Sequence, residues 1–467
     1  MTKTAFMLNV LRVWAWFSLG LHLASYFLPQ TYFWSIWPYS RWPIWLGTFL
    51  AAVAGLSLIP NINQRMQSVI AQIWNKLPSK GAPYRWFILL ASVSLPLFWG
   101  ARIRHLLWGD AAILVVGLSH PEQTVIYNWQ APLTVFLHQR LWALFFYPRY
   151  GWGVETVYAL ISVICGGLFV FATLAFANRL GQNVLEKMLI GGLVLTTGTM
   201  QLFFGYVENY TIISVWLILF MWLSVKMLDG DVRLWPVVLT LSVTNAFHPS
   251  TVFLWPAVLY LVWVQYQRGT PVFPLLLEVL LPPFLIANSV LTLMELGDHG
   301  LDSFLGDDRP GGGDHIWFVP LFETQSSLEQ YTMFSSLHLI EWLNEHYLIS
   351  TFGLFLLLVC PVWLWRNRQT ISIATQTQSH LRFLGLVSFC YLALTWLWNA
   401  DYGVRKDWDL FSPSAIVYTT FAALLLIQSF QNDKAALAQS VLFILTISGL
   451  HTASWVYTNM HFILSLI

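Results

Sequence analysis

Long apolar stretches alternate with short polar ones from one end of the chain to the other. A helix needs about 20 apolar residues to cross a hydrocarbon core. Stretches that serve this purpose lie near residues 7 to 28, 42 to 60, 86 to 101, 154 to 177, 188 to 207, 210 to 228, 234 to 248, 250 to 267, 271 to 293, 347 to 365, 382 to 399, 413 to 429 and 436 to 458. The pattern predicts an all-α fold, a polytopic transmembrane helical bundle of about 13 spans. Two connections are long, 102 to 153 and 294 to 346, and the others are short. The second long one ends in SSLHLIEWLNEHYL, where Leu337, Ile340, Leu343 and Tyr347 recur at helical spacing. That spacing predicts a short interfacial helix lying along the membrane surface. The Gly311-Gly312-Gly313 run before it reads as a mobile stretch.

Composition agrees with the pattern. The 467 residues are 57% hydrophobic and 16% aromatic, with 26 Trp, far from the soluble average. A net charge of +1 gives no sign of nucleic-acid binding. Cys165, Cys360 and Cys390 each sit inside an apolar run, so neither a disulfide framework nor metal-ligand spacing is present and they read as packing residues. The N-terminus has a short basic start and a long apolar stretch without a small-residue cleavage site, which predicts a retained first span. Arg65, Lys76, Lys80 and Arg85 crowd the connection 61 to 85, which the positive-inside tendency places in the cytoplasm. Alternation then puts the N-terminus inside and the C-terminus outside. Residues 1 to 60 are expected as an accessory pair of helices, 61 to 85 as a basic cytoplasmic loop, 86 to 430 as the core, and 431 to 467 as a last span and outer tail.

Polar residues that stand out fall on the outer side. The connection 294 to 346 holds ten carboxylates against the single Arg309. Asp110, in RIRHLLWGDAA, follows the exit of the third span with little nearby in sequence to neutralise it, which suits a general base and equally suits a solvated turn. GYVENY puts Glu208 in a hinge with almost no loop, where a carboxylate is costly without a partner or a function, unless it reaches interfacial water. NAFHPS places His248 at another outward hinge, as a substrate contact or a structural histidine. The segment DYGVRKDWDLFSP concentrates Asp401, Arg405, Lys406, Asp407 and Asp409 within nine residues. Two cations there run against the positive-inside tendency. They suit an anion site, since an arginine fork matches phosphate oxygens and a lysine adds a point charge, and they also suit a structural ion-pair knot.

The order of these features, WGD early in a long first outer loop, GYVENY at a later hinge and a basic outer loop near the C-terminus, resembles the GT-C superfamily of integral-membrane glycosyltransferases. Within it, the likeness is to bacterial members related to protein mannosyltransferases and aminoarabinose transferases, over roughly residues 86 to 430. The resemblance implies transfer of a sugar from a polyprenyl-phosphate donor to a lipid, glycan or protein acceptor, with inversion, at the outer face of a bacterial plasma membrane. It implies Asp110 as base, with Glu208 as a second catalytic acid, and Arg405 and Lys406 on the donor phosphate. His248, Asp407, Asp409, Gln130, His138 and Arg140 are then the candidate substrate contacts, and Tyr127, Trp129, Trp317 and Trp408 the candidate stacking surfaces. Many members carry two adjacent acids in the first loop, whereas Asp110 is followed by Ala111 and Ala112. No cofactor is called for, and a divalent metal lacks support. A polysaccharide polymerase or ligase acting on lipid-linked glycans, or a lipid or solute transporter, is the alternative reading. The charges gather at one face and no internal repeat is visible, which disfavours a transporter.

Overall fold

The computed structural model describes residues 3–76, 83–120, 126–306 and 316–461. Arg309 and the Gly311-Gly312-Gly313 run lie outside them. Among the described residues the fold is all helical, with one isolated antiparallel bridge between Phe318 and Trp398. The helices are α1 (Lys3–Ala24), α2 (Ile44–Leu56), α3 (Pro60–Lys76), α4 (Tyr84–Gly100), α5 (Ala111–Leu118), α6 (Pro132–Leu141), α7 (Tyr147–Tyr150), α8 (Val154–Leu180), α9 (Val184–Leu195) and α10 (Tyr210–Leu228). They continue as α11 (Leu234–Phe247), α12 (Trp255–Gln267), α13 (Val272–Glu295), α14 (Leu301–Gly306), α15 (Ser336–Ile349), α16 (Gly353–Arg366), α17 (Thr375–Leu397), α18 (Trp408–Phe411), α19 (Pro413–Ser429) and α20 (Lys434–Met460).

This is an integral, multi-pass membrane protein. Among the described residues seven helices are long and apolar enough to cross a bilayer, or up to nine when two sharply bent helix pairs each count as one span. The expected spans all contain helix, but several helices are short for a full crossing. The stretch 188 to 207 shows why. The hydroxyls of Thr196 and Thr197 bond back to the Gly192 and Val194 carbonyls, α9 stops at Leu195, and a 3-10 turn runs from Gly198 to Phe203. Threonine offers the backbone an alternative to the helical ladder, which average hydrophobicity does not register.

Burial sorts the helices. The span from Trp408 to Ser429 is 89% buried and forms the central post, whereas α13 is 17% buried and lies at the periphery. Close helix packing depends on small residues, since without a water-driven force between spans contact area decides. At Gly166 of α8 an added Cβ would lie 2.7 Å from Phe98 and Phe203, so α4 and the 3-10 turn pack directly on the α8 backbone. The three cysteines are free and buried, as packing residues. At the far end from Asp110, Arg179 binds Asp229 and Asp231 at 2.6 Å, and His380 meets Asp229 at 2.7 Å, tying α8, α10 and α17 together.

α15 meets α16 at 95°. Its apolar Leu337 and Leu343 face outward, and Asn344, Glu345 and His346 are buried. The Leu337 and Leu343 end of the stripe is therefore outward, whereas Tyr347 turns inward with its hydroxyl on Ser18, and the polar face is turned into the protein. The reason is the α1–α2 connection, which docks on it. Trp34 donates to Glu341 at 3.0 Å, Asn344 accepts from the main chain and hydroxyl of Ser35 at 3.2 and 2.9 Å, and it donates to the Tyr32 carbonyl at 2.9 Å. Losing three partners around one buried amide costs about 1–3 kcal/mol. Asn344→Ala is therefore expected to lower the thermal unfolding temperature of the purified protein, and an unchanged melting curve would contradict this docking.

Candidate active site

Three anchors hold the segment that carries Asp110. Ile103 donates its N–H to Phe204 at 2.8 Å, Gly109 donates to Lys406 at 2.9 Å, and the Trp108 indole donates to Asn459 at 3.0 Å. Gly109 has φ +51°, a backbone state that side chains rarely tolerate, and it turns the chain so that Asp110 precedes α5 without its carboxylate capping that helix. Glu208 completes the arrangement. One carboxylate oxygen accepts from the Asp110 N–H, and the other accepts from Asn209 at 3.1 Å. A Cβ on Gly109 would collide with Glu208 and lie 3.1 Å from Asp409.

The loop from Asp401 to Asp407 forms the opposite wall. Gly403, at φ +82°, starts a turn in which its carbonyl accepts from Lys406 at 2.9 Å and Asp407 at 3.1 Å. Asp407 then accepts from the Tyr402 N–H at 2.9 Å. α18 follows and buries Asp409, 1% exposed, where neither carboxylate oxygen reaches a hydrogen-bond partner at normal geometry. The bridge between Phe318 and Trp398 clips the second long connection to the end of α17, through Val319 N–H to the Leu397 carbonyl at 2.8 Å, and brings Trp317 edge-on to Trp398.

These pieces enclose a cavity of ≈ 540 Å³. Asp110, Glu208, Asp401, Asp407 and Asp409 all line it, and no Lys or Arg does so among the described residues. One side is apolar. Pro283, Ile286, Ala287 and Val290 of α13 present a helical stripe at i, i+3, i+4 and i+7. The opposite face of α13, with Phe273, Leu277, Leu280 and Phe284, is exposed as a lipid-facing helix requires. Trp129, Trp255, Trp317 and Trp398 give flat surfaces around the polar floor.

Electrostatics follows from burial and like charge. Glu208 is pushed well above the usual carboxylate range, first by burial and then by the charges of Asp409 and Asp110, against the opposing pull of its two main-chain N–H donors. Burial lowers Arg405, and Glu341 opposes that shift. Among the described residues no group of three or more His, Cys, Asp or Glu side chains is arranged to hold a metal ion.

The structure brings together Asp110, Glu208, Gln130, His248, Asp407 and Asp409 from the sequence candidates. His248 enters through the α11 hinge, with Nδ1 2.8 Å from Ser250 Oγ and its ring against Tyr210. Four candidates stay outside the wall. Arg405 turns to the far side of its loop, its guanidinium 5.6 Å from the Trp37 ring centre, and Lys406 is exposed. His138 is consumed by packing, Nδ1 at 2.7 Å from the Thr134 carbonyl and its ring stacked 3.7 Å from Tyr158, and this burial lowers its pKa to about 4. Arg140 donates to the Tyr127 hydroxyl at 3.1 Å. Of the candidate aromatics, Trp129 and Trp317 line the cavity, while Trp408 is fully buried against Tyr206 and Trp455. Asn399, Trp398 and Tyr402 join the wall without having been singled out as site residues, although the first two flank the charged segment and Tyr402 lies within it. Glu345, buried in α15, faces Asp409.

No family model and no curated protein matches the chain. Among solved structures it is similar to ArnT from Cupriavidus metallidurans bound to undecaprenyl phosphate, at 11% identity, over 81% of this chain and 78% of that one, with a TM-score of 0.51. The chain shares the fold of that structure. At this identity the likeness is one of helix arrangement, and within the shared frame the side chains of the cavity are this chain's own. Their geometry makes Gly109 the sharpest check. Gly109→Ala imposes a left-handed backbone on a residue with a Cβ, a cost of about 1–2 kcal/mol, and drives that Cβ into Glu208. The variant is expected to melt at lower temperature than wild type, and equal stability would show that Glu208 does not lie against Gly109.

Proposed function

We propose that the chain is a membrane glycosyltransferase, moving a sugar from a polyprenyl-phosphate donor to an acceptor hydroxyl at the extracytoplasmic face, with inversion. The membrane is a bacterial plasma membrane, with the N-terminus in the cytoplasm, in keeping with the Lys and Arg bias of the loops. The observation that carries this reading is the convergence of Asp110, Glu208 and the Asp401–Asp409 segment on one cavity with an apolar helical wall, in a chain with the GT-C fold. ArnT, the structural neighbour, is bound to undecaprenyl phosphate, a lipid of the proposed donor class.

Asp110 is the base. It removes the acceptor proton as the acceptor oxygen bonds to the anomeric carbon, the bond from that carbon to the donor phosphate oxygen breaks, and polyprenyl phosphate leaves with the electron pair. Oxocarbenium character at the sugar is stabilised by a carboxylate-lined floor. Glu208 acts through Asp110, whose main chain it holds. Gln130, His248 and Asp407 offer polar contacts to sugar or acceptor hydroxyls, and the tryptophans stack on sugar faces. A phosphate would be repelled by five acids, so it rests at the rim, where Lys406 is exposed and Arg405 shares its loop. The lipid tail follows the apolar stripe of α13.

The test is a transfer assay on purified protein with a panel of polyprenyl-phosphate sugars. Asp110→Asn is expected to lower turnover by about 10²–10⁴-fold with donor binding retained, and unchanged turnover would remove Asp110 from the role of base. Lys406→Ala is expected to weaken donor binding more at low salt than at high salt, as a rim cation on a phosphate does. Arg405→Ala, which removes a guanidinium that faces Trp37, is expected to weaken it less. Equal donor affinity in the Lys406 variant would move the phosphate elsewhere.

A further inference from the structure

Glu208 and Asp409 are 2% and 1% exposed, come from hinges far apart in sequence, and crowd the same space above Gly109. Their surroundings are unequal. Glu208 accepts two main-chain N–H groups, one of them from Asp110, so its negative charge is supported. Asp409 is held less well: neither oxygen makes a hydrogen bond of normal geometry, and only its own N–H and that of Leu410 lie close enough to favour its charge. The groups that act on the pair are acids and phenols. Asp110 and Asp407 come from the two walls, Glu345 from α15 and Tyr158 from α8. Tyr206 and Tyr210 flank Glu208, with His248 behind Tyr210. No Lys or Arg among the described residues lines the cavity the pair shares. Two neighbouring carboxylates out of water and without a cation do not both ionise, because their repulsion adds to the cost of desolvation.

We infer that Glu208 and Asp409 hold a single proton between them at neutral pH, and that Asp409 is thereby a positioning residue for the proposed base, keeping the Glu208 carboxylate seated on the Asp110 main chain. This rests on the transferase reading for its role in turnover, and on geometry alone for the proton. The burial and like-charge effects that raise Glu208 agree with it. When the remaining proton leaves at alkaline pH, the second charge drives the carboxylates apart, and the support of Asp110 goes with them. A carboxyl whose folded-state pKa is raised stays protonated in the fold while the unfolded chain ionises, so stability falls as pH rises from the ordinary carboxylate range up to the raised value and levels off above it. Both activity and stability of the wild type therefore fall on the alkaline side.

Two readouts in detergent or nanodiscs test this, across a pH series from neutral to alkaline. In the transfer assay, Asp409→Asn, which carries no titrating proton, is expected to lower kcat at neutral pH by less than Asp110→Asn does and to lose the alkaline fall that the wild type shows. In thermal unfolding without substrate, the alkaline drop in melting temperature is expected to be smaller in the variant than in wild type. Asp409→Ser, also neutral and smaller, serves if the asparagine variant does not fold. A variant with the wild-type alkaline fall in both readouts overturns the shared proton. A loss at neutral pH as deep as that of Asp110→Asn overturns the positioning role and makes Asp409 an ionised participant. If the wild type transfers none of the sugars tried, the transferase reading fails, and the unfolding series still decides where the proton is.

Discussion

The Glu208 carboxylate accepting from the Asp110 main chain is the contact on which the rest of the site depends. It joins two stretches about a hundred residues apart and does so with a group that is expensive to bury. A carboxylate at the end of an apolar bundle survives only where main-chain donors or a neighbouring proton compensate it, and here both are in reach. Glycine at 109 is the geometric condition, because only a residue without Cβ lets the acid approach the turn. Lys406 adds a second condition by accepting the Gly109 N–H with its carbonyl, so the two walls of the cavity are stitched together through backbone.

That stitching explains why the cations of the same loop stand apart from the acids. A turn that points Asp407 at Tyr402 and places Asp409 against Gly109 sends Arg405 outward, onto Trp37. Trp37 lies 4.3 Å from the guanidinium of Arg41 as well, so the α1–α2 connection meets the charged loop on its outer side. The first two apolar helices are thus tied to the site end of the bundle through side chains, although their own apolar faces pack on α20.

The helices were legible because a bilayer imposes one strong rule, that every spanning backbone satisfies itself. The rule yields positions and not lengths. Thr196 and Thr197 end α9 early because their hydroxyls compete for carbonyls, a local effect invisible in a hydropathy average. The acids of the site were legible for the same reason that they are costly. Asp110, Glu208 and Asp409 each interrupt apolar sequence at a hinge, and the hinges of one bundle end meet. What sequence does not carry is the direction of a side chain. His138 and Arg140 lie in the right connection but face Tyr158 and Tyr127, and Arg405 lies in the right loop but faces away. α15 misleads in another way. Its apolar stripe suggests a helix resting on lipid, and Leu337 and Leu343 do face outward, but Tyr347 turns in to Ser18 and the polar face is occupied by Trp34 and Ser35 from the far end of the chain.

The distribution of charge then constrains chemistry more than the identity of any single residue. A cavity lined by five carboxylates and bounded by an apolar helical stripe is a poor place for an anion and a good one for hydroxyl groups beside a developing positive centre. A lipid-linked sugar satisfies both demands when it lies with its ring over the acids, its chain along α13 and its phosphate at the rim. The same argument works against a diphosphate seated within the cavity, because two more negative charges would need cations that the described wall does not supply. On the proposed transferase reading, charge placement, set by one turn at Gly403 and one at Gly109, therefore selects the orientation of the lipid-linked sugar before any specific contact is made.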